Sequence, residues 1–373
     1  MQRRSGSKEN TSGGISGLIC RQADERTSGR AASGINKLTA NSMLTRYFKA
    51  NYPGQYITIG VIGLLLWGLG TLHPPAMPLP QGPAPLYTLL YSWLSGVPYL
   101  AMVLGFLLVI VQAVWLNYIG LTHDLVPHNT SLTALLFLLF ISLLPSYLTL
   151  TPITLTIPFL LLVLQALLKA YNQTEPIELV YTAGFFVALA SLFFFPTLLF
   201  YGFILSTFLV YRTMKWREWV SSLIGLATPY LYLVVVYFLT DHLSSLASIY
   251  SGYLGQARAG IPKADLNTWI LIGFLGLFTL MGLWSTLRTI GEKTVELRKK
   301  GIVLLWMLFW SLLIILLACP GQLYSPALLS ICSAVFAANF FLRLRKPFWF
   351  ELLLWVLILI LIANTAFGPY LLW

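Results

Sequence analysis

The sequence predicts an all-α, polytopic transmembrane bundle of about 11 helices, with a cytoplasmic N-terminus and an external C-terminus. Three observations lead to this fold class. Apolar residues make up 58% of the 373 residues and charged residues only 9%, and the mean hydropathy is +0.79, far above the range of soluble domains. Apolar segments follow one another from Met43 to Trp373. Lysine and arginine are concentrated in alternate gaps between these segments.

The net charge of +11 is distributed in a way that favours a membrane over nucleic acid as the partner. A charged side chain at the bilayer centre costs at least about 2.5 kcal/mol, so a chain that crosses lipid repeatedly confines charge to its loops. Basic residues in short juxtamembrane loops suit anionic headgroups. We therefore expect membrane lipids as partners and no nucleic acid. Cys20, Cys319 and Cys332 have no paired spacing, which excludes a disulfide framework and a cysteine zinc site.

Residues 1–42 are rich in Ser, Gly, Thr, Arg and Asn and contain no apolar run long enough to cross a membrane. One interpretation is a disordered, basic cytoplasmic tail. The other, which we favour, is that translation starts at Met43, because Leu44–Lys49 is an ordinary basic lead-in to a first membrane helix. In both cases residues 43–373 form a single transmembrane helical domain.

A helix rises about 1.5 Å per residue, so about 20 apolar residues span the hydrocarbon core. The predicted spans are residues 56–72, 97–116, 131–149, 152–170, 178–195, 196–211, 219–239, 268–288, 301–319, 323–341 and 348–368. The stretch 178–211 is too long for one crossing and carries no charge between Glu178 and Arg212. Because proline disrupts a helix and disfavours helix at the preceding residue, we expect a break at Phe193–Pro196 and two arms.

The basic residues fix the orientation of these spans. With two arms in 178–211, the predicted cytoplasmic loops contain Lys169, Arg212, Lys215, Arg217, Arg288, Lys293, Arg298, Lys299, Lys300, Arg343, Arg345 and Lys346. The external loops then contain only Arg258 and Lys263, as the positive-inside rule requires. A re-entrant hairpin at 178–211 satisfies the charges equally well.

Three of the predicted loops are expected to contain a defined connector or a helix. Residues 73–85 form a proline-rich connector, and Leu86–Ser95 has the aromatic residues expected of an interfacial helix. In the 240–267 loop, apolar residues recur at helical spacing, which predicts an amphipathic helix on the membrane surface. On the cytoplasmic side, Arg288–Lys300 is expected to extend the preceding helix, with a break at Gly301.

The first candidate site is a histidine-containing loop. His123, Asp124 and His128 could supply three ligands to a divalent metal. However, Pro127 separates the two histidines, and residues 129–131 (Asn-Thr-Ser) are typical helix caps. We therefore expect a polar capping loop and no metal or other cofactor.

The second candidate site is the only charged group of residues on the predicted external face. Asp241 or His242 could act as a general base toward a sugar hydroxyl, and Arg258 and Lys263 could bind the phosphate of a lipid-linked glycan. The alternative is structural: Asp241 caps the interfacial helix while the two cations meet lipid headgroups. Glycosyltransferases that use lipid-phosphate sugars usually carry acidic residues in the first external loop, and residues 73–95 contain none.

The predicted spans contain no ionisable residue near the bilayer centre, which argues against a proton-coupled transporter or an ion channel. Several amides nevertheless lie within or at the ends of spans. We expect these amides to form hydrogen bonds between helices. They are Gln112, Asn117, Gln165, Asn339 and Asn364.

Several stretches carry a resemblance to a known family. They are the lead-in Met43–Lys49, Asn117 ahead of Thr130-Ser131-Leu132, Ala188–Pro196, and Tyr211-Arg212 running into Trp216–Trp219. Through these stretches, residues 43–373 resemble an uncharacterised family of multi-pass inner-membrane proteins found in Bacteroidetes-type bacteria. The resemblance implies a membrane protein without a known activity. Members are sometimes labelled carotenoid oxygenases, but the four histidines such an iron site needs are predicted on both sides of the membrane here.

The sequence leaves three functions open. The first is a non-catalytic or lipid-handling multi-pass protein of the bacterial inner membrane, serving envelope lipid or glycan assembly. The second is a polyprenyl-phosphate-dependent glycosyltransferase, polymerase or ligase. The third is a transporter of a neutral or lipidic solute.

Overall fold

The fold is built from twelve α-helices in the part of the chain that the computed structural model describes, with no strand there. The described residues are 47–48, 52–70, 76–80, 82–126, 129–143, 148–171, 173–211, 215–241, 250, 266–292, 294–317, 325–343 and 347–367. The helices are α1 (Pro53–Gly70), α2 (Pro85–Leu94), α3 (Pro98–Thr122), α4 (Leu132–Ile141), α5 (Pro152–Ala170), α6 (Ile177–Phe193), α7 (Tyr201–Tyr211), α8 (Trp216–Leu239), α9 (Leu266–Thr289), α10 (Val295–Leu317), α11 (Ser330–Arg343) and α12 (Pro347–Phe367). Short 3-10 turns at Phe195–Phe200, Ile290–Glu292 and Ser325–Leu329 precede α7, α10 and α11.

Proline sets the start of several helices. Pro85, Pro98 and Pro152 lie in the first turn of α2, α3 and α5, where the missing N–H costs nothing and the fixed φ suits a helix. At α5 the Thr151 hydroxyl also accepts the Thr154 N–H at 3.1 Å, which caps the helix.

Six helical segments are long and apolar enough to cross a membrane. They are Pro98–Thr122, Pro152–Ala170, Trp216–Leu239, Thr268–Thr289, Val295–Leu316 and Ser325–Arg343. Five shorter apolar helices of 10–17 residues accompany them, and each predicted span overlaps a helix. These lengths and compositions are those expected of a membrane protein, whereas the number of crossings stays a prediction. The predicted span 131–149 is shortened to α4, because helix is disfavoured ahead of Pro145.

The predicted break in 178–211 is confirmed. Helix α6 ends at Phe193, and Phe194 is extended, with φ −147° and ψ 98°. Helices α6 and α8 run parallel: the Ser221 hydroxyl donates to Ile177 O at 3.0 Å near their starts, and Ser191 and Tyr230 are hydrogen-bonded at 2.6 Å further along. The intervening chain must therefore return to the side on which α6 began.

The bundle has a basic end, which we define by Lys169, Lys215, Lys299, Lys300 and Arg343. Every lysine and arginine among the described residues lies at this end. Contacts join the loops there: Lys299 Nζ lies 5.2 Å from the Tyr171 ring centroid, and Asn339 donates to Leu125 O at 3.0 Å. The proline-rich end, defined by residues 76–98 and the end of α8, lies at the other side of the bundle.

The link between α9 and α10 differs from the prediction. We expected Arg288–Lys300 to extend the preceding helix as far as Gly301. Instead α9 ends at Thr289, and α10 begins at Val295 and continues through a buried Gly301. The Glu296–Lys300 ion pair (2.6 Å) stabilises the start of the new helix. Gly301 packs against Ile290, whose Cδ1 lies 3.5 Å from the position that a Cβ would take.

The core is centred on α4 and α11. Every residue of α4 is buried, as are nearly all residues of α11. Hydrogen bonds between helices stabilise this interior, such as the 2.6 Å pair between Thr279 of α9 and Ser333 of α11. The expected interhelical role of the amides is confirmed for Gln112, Asn117 and Gln165, which bond Thr154 O, Tyr56 and Trp115. Asn339 instead joins α11 to the loop after α3, where it donates to Leu125 O. The Asn364 side chain lies outside the described residues.

Candidate functional site

The candidate site is a cavity of about 510 Å³ at the proline-rich end, within the range of small-molecule sites. The proline-rich connector, α2 and the last turns of α8 form its walls. The lining residues are Pro80, Gly82, Pro83, Ala84, Pro85, Thr88, Leu89, Ser92, Tyr237 and Tyr250. None of these residues carries a charge, so the cavity suits an apolar or weakly polar molecule.

The connector is held rigidly against the bundle. Tyr87 of α2 is fully buried and donates its hydroxyl to Pro78 O at 2.6 Å. Around Tyr87 packs a small apolar cluster that includes Met77, Leu94 and Leu150. Gly82 has φ 87°, a conformation that glycine adopts without strain, and this lets the connector turn into α2. These contacts confirm a helix at Leu86–Ser95 and explain its position.

Hydroxyl groups give the cavity its polar character. Thr88 donates to Ala84 O at 2.9 Å and Ser92 donates to Leu89 O at 2.7 Å. Each hydroxyl oxygen therefore keeps acceptor capacity. Both groups can receive a hydrogen bond from a molecule in the cavity.

Tyr250 is the distinctive polar group of the cavity. Its ring contacts Phe195 edge-to-face, with 5.3 Å between centroids. Its hydroxyl is buried and makes no hydrogen bond within the described part of the chain. Burial, with the nearby Tyr230 and Tyr237, raises the pKa of Tyr250, so the phenol stays protonated and can donate. A buried donor without a partner is costly, and a bound ligand would relieve that cost.

Asp241 lies close to the cavity but has a clear backbone role. It follows the α8 C-cap residue Thr240, has φ 56° and donates its N–H to Phe238 O at 3.2 Å. This is the left-handed residue that ends a helix. Its side chain is exposed, and it is the only carboxylate at the proline-rich end among the described residues.

Three other residues predicted at this end cannot be compared with the cavity. His242, Arg258 and Lys263 lie outside the described residues, as does most of the predicted amphipathic helix at 240–267. His242 as a general base, and Arg258 and Lys263 as ligands of a lipid-linked phosphate, stay predictions.

The histidine loop lies at the opposite, basic end. Asp124 has φ 54°, and the loop closes α3 through hydrogen bonds from Asp124 N to Leu121 O (3.3 Å) and from Leu125 N to Gly120 O (2.9 Å). These two bonds form a Schellman motif. Asp124 thus has the same backbone role as Asp241.

His123 is buried, with 7% of its surface exposed. Burial first, then Lys300 and Lys169, lowers the pKa of His123. Nearby cations disfavour a metal ion here. His128 lies outside the described residues, and the described residues contain no group of three His, Cys, Asp or Glu able to hold a metal.

The helix-capping prediction for Thr130 and Ser131 needs correction at one residue. The Thr130 hydroxyl accepts the Leu132 N–H at 3.2 Å. Ser131 is the N-cap residue of α4 but makes no capping bond with its side chain. Its hydroxyl instead donates to Gln55 Oε1 at 2.8 Å, because the lead-in around Phe48 packs against this loop: Ser131 N donates to Phe48 O at 3.3 Å.

Sequence reasoning missed the cavity itself. The aromatic residues of α2 were predicted to face the membrane interface, and Trp93 is indeed 78% exposed. The available signal was the density of prolines in residues 74–85, since proline restricts the backbone of a connector and so limits how closely it can fill the space beside a helix. That signal does not indicate that Tyr237 and Tyr250, more than 140 positions later in the sequence, complete the walls.

Comparison with known proteins gives one match. No curated protein and no solved structure matches the chain. The profile of a family of unknown function, DUF6427, matches residues 86–367, which extend from α2 to the end of α12 and include half of the ten residues that line the cavity. The match covers well over half of the chain, so the protein belongs to the family of unknown function DUF6427.

Proposed function

We propose that this protein is a multi-pass inner-membrane protein that binds a lipidic molecule in the cavity at its proline-rich end. The proposal rests on the uncharged cavity of about 510 Å³ and on the buried hydroxyl of Tyr250 in its wall, which has no hydrogen-bond partner among the described residues. Apolar walls suit a hydrocarbon chain, and a few fixed hydroxyl groups suit the polar part of an amphipathic molecule. We propose that the bound molecule is one that the cell uses in envelope lipid or glycan assembly.

The proposed orientation has about 11 crossings, the N-terminus in the cytoplasm and the C-terminus outside. Its support is the basic end, where all described lysines and arginines lie. By the positive-inside rule this end faces the cytoplasm. The cavity then lies in the outer half of the membrane.

Photocrosslinking in membranes that contain the full-length protein tests the proposal. Two photoreactive probes are compared, a phospholipid analogue and a polyprenyl-phosphate analogue. We expect at least one probe to label peptides from residues 80–92. Ser92→Phe, which places a ring in the cavity, should lower this labelling by about tenfold, which corresponds to about 1.4 kcal/mol.

The matched control is Ser95→Phe. Ser95 is exposed just beyond α2 and does not line the cavity, so it tests the same substitution three positions away. Labelling should persist in this variant. Equal labelling of Ser92→Phe and Ser95→Phe, or no labelling of residues 80–92 by either probe, would contradict the proposal.

Asp241 supports a second candidate, a glycosyltransferase, polymerase or ligase that uses a polyprenyl-phosphate carrier. It lies one helical turn beyond the cavity residue Tyr237. With the predicted partners His242, Arg258 and Lys263, its carboxylate would act as a general base beside a bound carrier phosphate.

Asp241→Gly distinguishes a catalytic role of the Asp241 carboxylate from the structural role of its backbone at the end of α8. Glycine suits the left-handed backbone at this position, so the variant removes the carboxylate and keeps the end of α8. An enzyme would lose complementation of a deletion strain while membrane insertion stays normal. Normal complementation by Asp241→Gly and by His242→Ala would eliminate this candidate.

A further inference from the structure

Three helix ends meet at the basic end around a cluster of lysines. Lys169 lies in the last turn of α5, and Lys299 and Lys300 lie near the start of α10. Lys169 and Lys300 both act electrostatically on His123, just beyond the end of α3. Residues far apart in the sequence therefore form one positively charged junction.

The members of this cluster differ in how far their charge is compensated. Lys300 is buried and its Nζ lies 2.6 Å from Glu296 Oε1. Lys299 Nζ lies over the Tyr171 ring at 5.2 Å, and Lys169 is exposed. Neither Lys169 nor Lys299 pairs with a carboxylate among the described residues.

The carboxylates at the junction do not neutralise it. Asp124 and Glu296 are the acidic groups that act on His123, and the effects of Lys300 and Lys169 are both larger. At His123 the nearby cations therefore outweigh the nearby carboxylates.

An aromatic pair lies beside the junction. Tyr171 follows the end of α5 and packs at a tilt on Tyr211 at the end of α7, with 5.2 Å between ring centroids. Tyr211 is buried in the core and donates its hydroxyl to Leu167 O at 3.1 Å, whereas Tyr171 is half-buried and lies below the Lys299 ammonium group. Because tyrosines at helix ends prefer the membrane–water interface, we expect Lys299 to lie near the depth of the lipid phosphates.

We propose that Lys169 and Lys299 bind the phosphate of an anionic phospholipid in the leaflet at the basic end. Tyr171 positions Lys299 through the cation–π contact. Lys300 does not bind the phosphate, because its ammonium group is paired with Glu296. The phosphate accepts hydrogen bonds from both ammonium groups, as in basic pockets between membrane helices. This site is separate from the cavity and does not depend on the function proposed for it.

Native mass spectrometry of the detergent-purified, full-length protein tests the site. Phosphatidylglycerol and phosphatidylcholine are titrated in about 0.15 M salt, where the Debye length of about 8 Å limits long-range attraction. We expect the wild type to bind phosphatidylglycerol first. The double variant Lys169→Gln/Lys299→Gln should raise the dissociation constant for phosphatidylglycerol about 25-fold, because each lysine contributes about fivefold.

The control is Lys215→Gln/Arg217→Gln, which removes the same charge from exposed residues at the same end, where Lys215 forms an exposed 3.9 Å pair with Glu175. It should weaken phosphatidylglycerol binding less than about threefold. An equal loss in both double variants would overturn the site in favour of general surface attraction. Equal binding of the two lipids would overturn it as well, and displacement of phosphatidylglycerol by about 10 mM inorganic phosphate would reassign it to free phosphate.

Discussion

Gly184 of α6 and Gly225 of α8 face each other's helix backbones at the crossing of the two parallel helices. A Cβ on Gly184 would lie 2.2 Å from Ser222 O, and a Cβ on Gly225 would lie 2.2 Å from Tyr181 O. Both glycines are buried. Small residues allow this close approach, which stabilises helix pairs in membranes through packing.

The glycine crossing gives the first prediction. Gly184→Val or Gly225→Val should lower the free energy of unfolding by about 1–3 kcal/mol or more, because the helices must separate to accept the side chain. The measurement is the apparent melting temperature of the detergent-purified protein. Gly276→Val on α9 is the control, since no atom lies within 4 Å of its Cβ position; a loss there as large as at the crossing would contradict the account.

A second prediction concerns the two aspartates that end helices. Asp124→Gly should keep or raise stability, because glycine adopts φ near 54° without strain. Asp124→Ala should lower stability by about 1 kcal/mol, since alanine is disfavoured in the left-handed region. Thermal unfolding of the purified variants measures both effects. If Asp124→Gly destabilises the protein as much as Asp124→Ala or more, the left-handed backbone of Asp124 does not decide the effect and the backbone explanation is wrong.

A third prediction follows from His123. Its pKa in the folded protein is lower than the usual 6.5, because of burial and the nearby Lys300 and Lys169. Between the folded and unfolded pKa values the unfolded chain binds more protons, so stability rises with pH there. The apparent melting temperature should therefore fall as the pH drops below about 6.5.

His123→Gln provides the comparison for this titration. The variant has no imidazole to protonate, so its melting temperature should fall less between about pH 7.5 and about pH 5.5. Parallel pH profiles for the wild type and the variant would assign the acid sensitivity to other groups.

The positions of the helices could be predicted from local signals. The segment 152–170 was predicted to the residue, because Pro152 begins α5 and Lys169 ends the apolar run. The break before Pro196 followed from the same proline chemistry. The bond of Gln112 to Thr154 O on another helix followed from the expectation that amides within spans pair between helices.

Other features depend on tertiary contacts that a single sequence does not reveal. Gly301 resembles a helix stop, yet it lies inside α10, where it is buried and packs against Ile290 from the preceding link. Ser131 resembles a cap, yet its hydroxyl binds Gln55 from another helix. Tyr250 could be placed on a surface helix by its spacing, but its position beside Phe195 depends on how distant loops meet.

Cysteine labelling of sidedness tests the central claim most directly. Single cysteines replace the exposed Ser95 at the proline-rich end and the exposed Thr294 at the basic end, in a background with Cys20, Cys319 and Cys332 changed to serine. A membrane-impermeant maleimide should label Ser95→Cys in intact spheroplasts and Thr294→Cys only after the membrane is permeabilised. Labelling of Thr294→Cys from outside would show that the basic end faces outward. The cavity would then lie in the cytoplasmic half of the membrane, which would contradict the account.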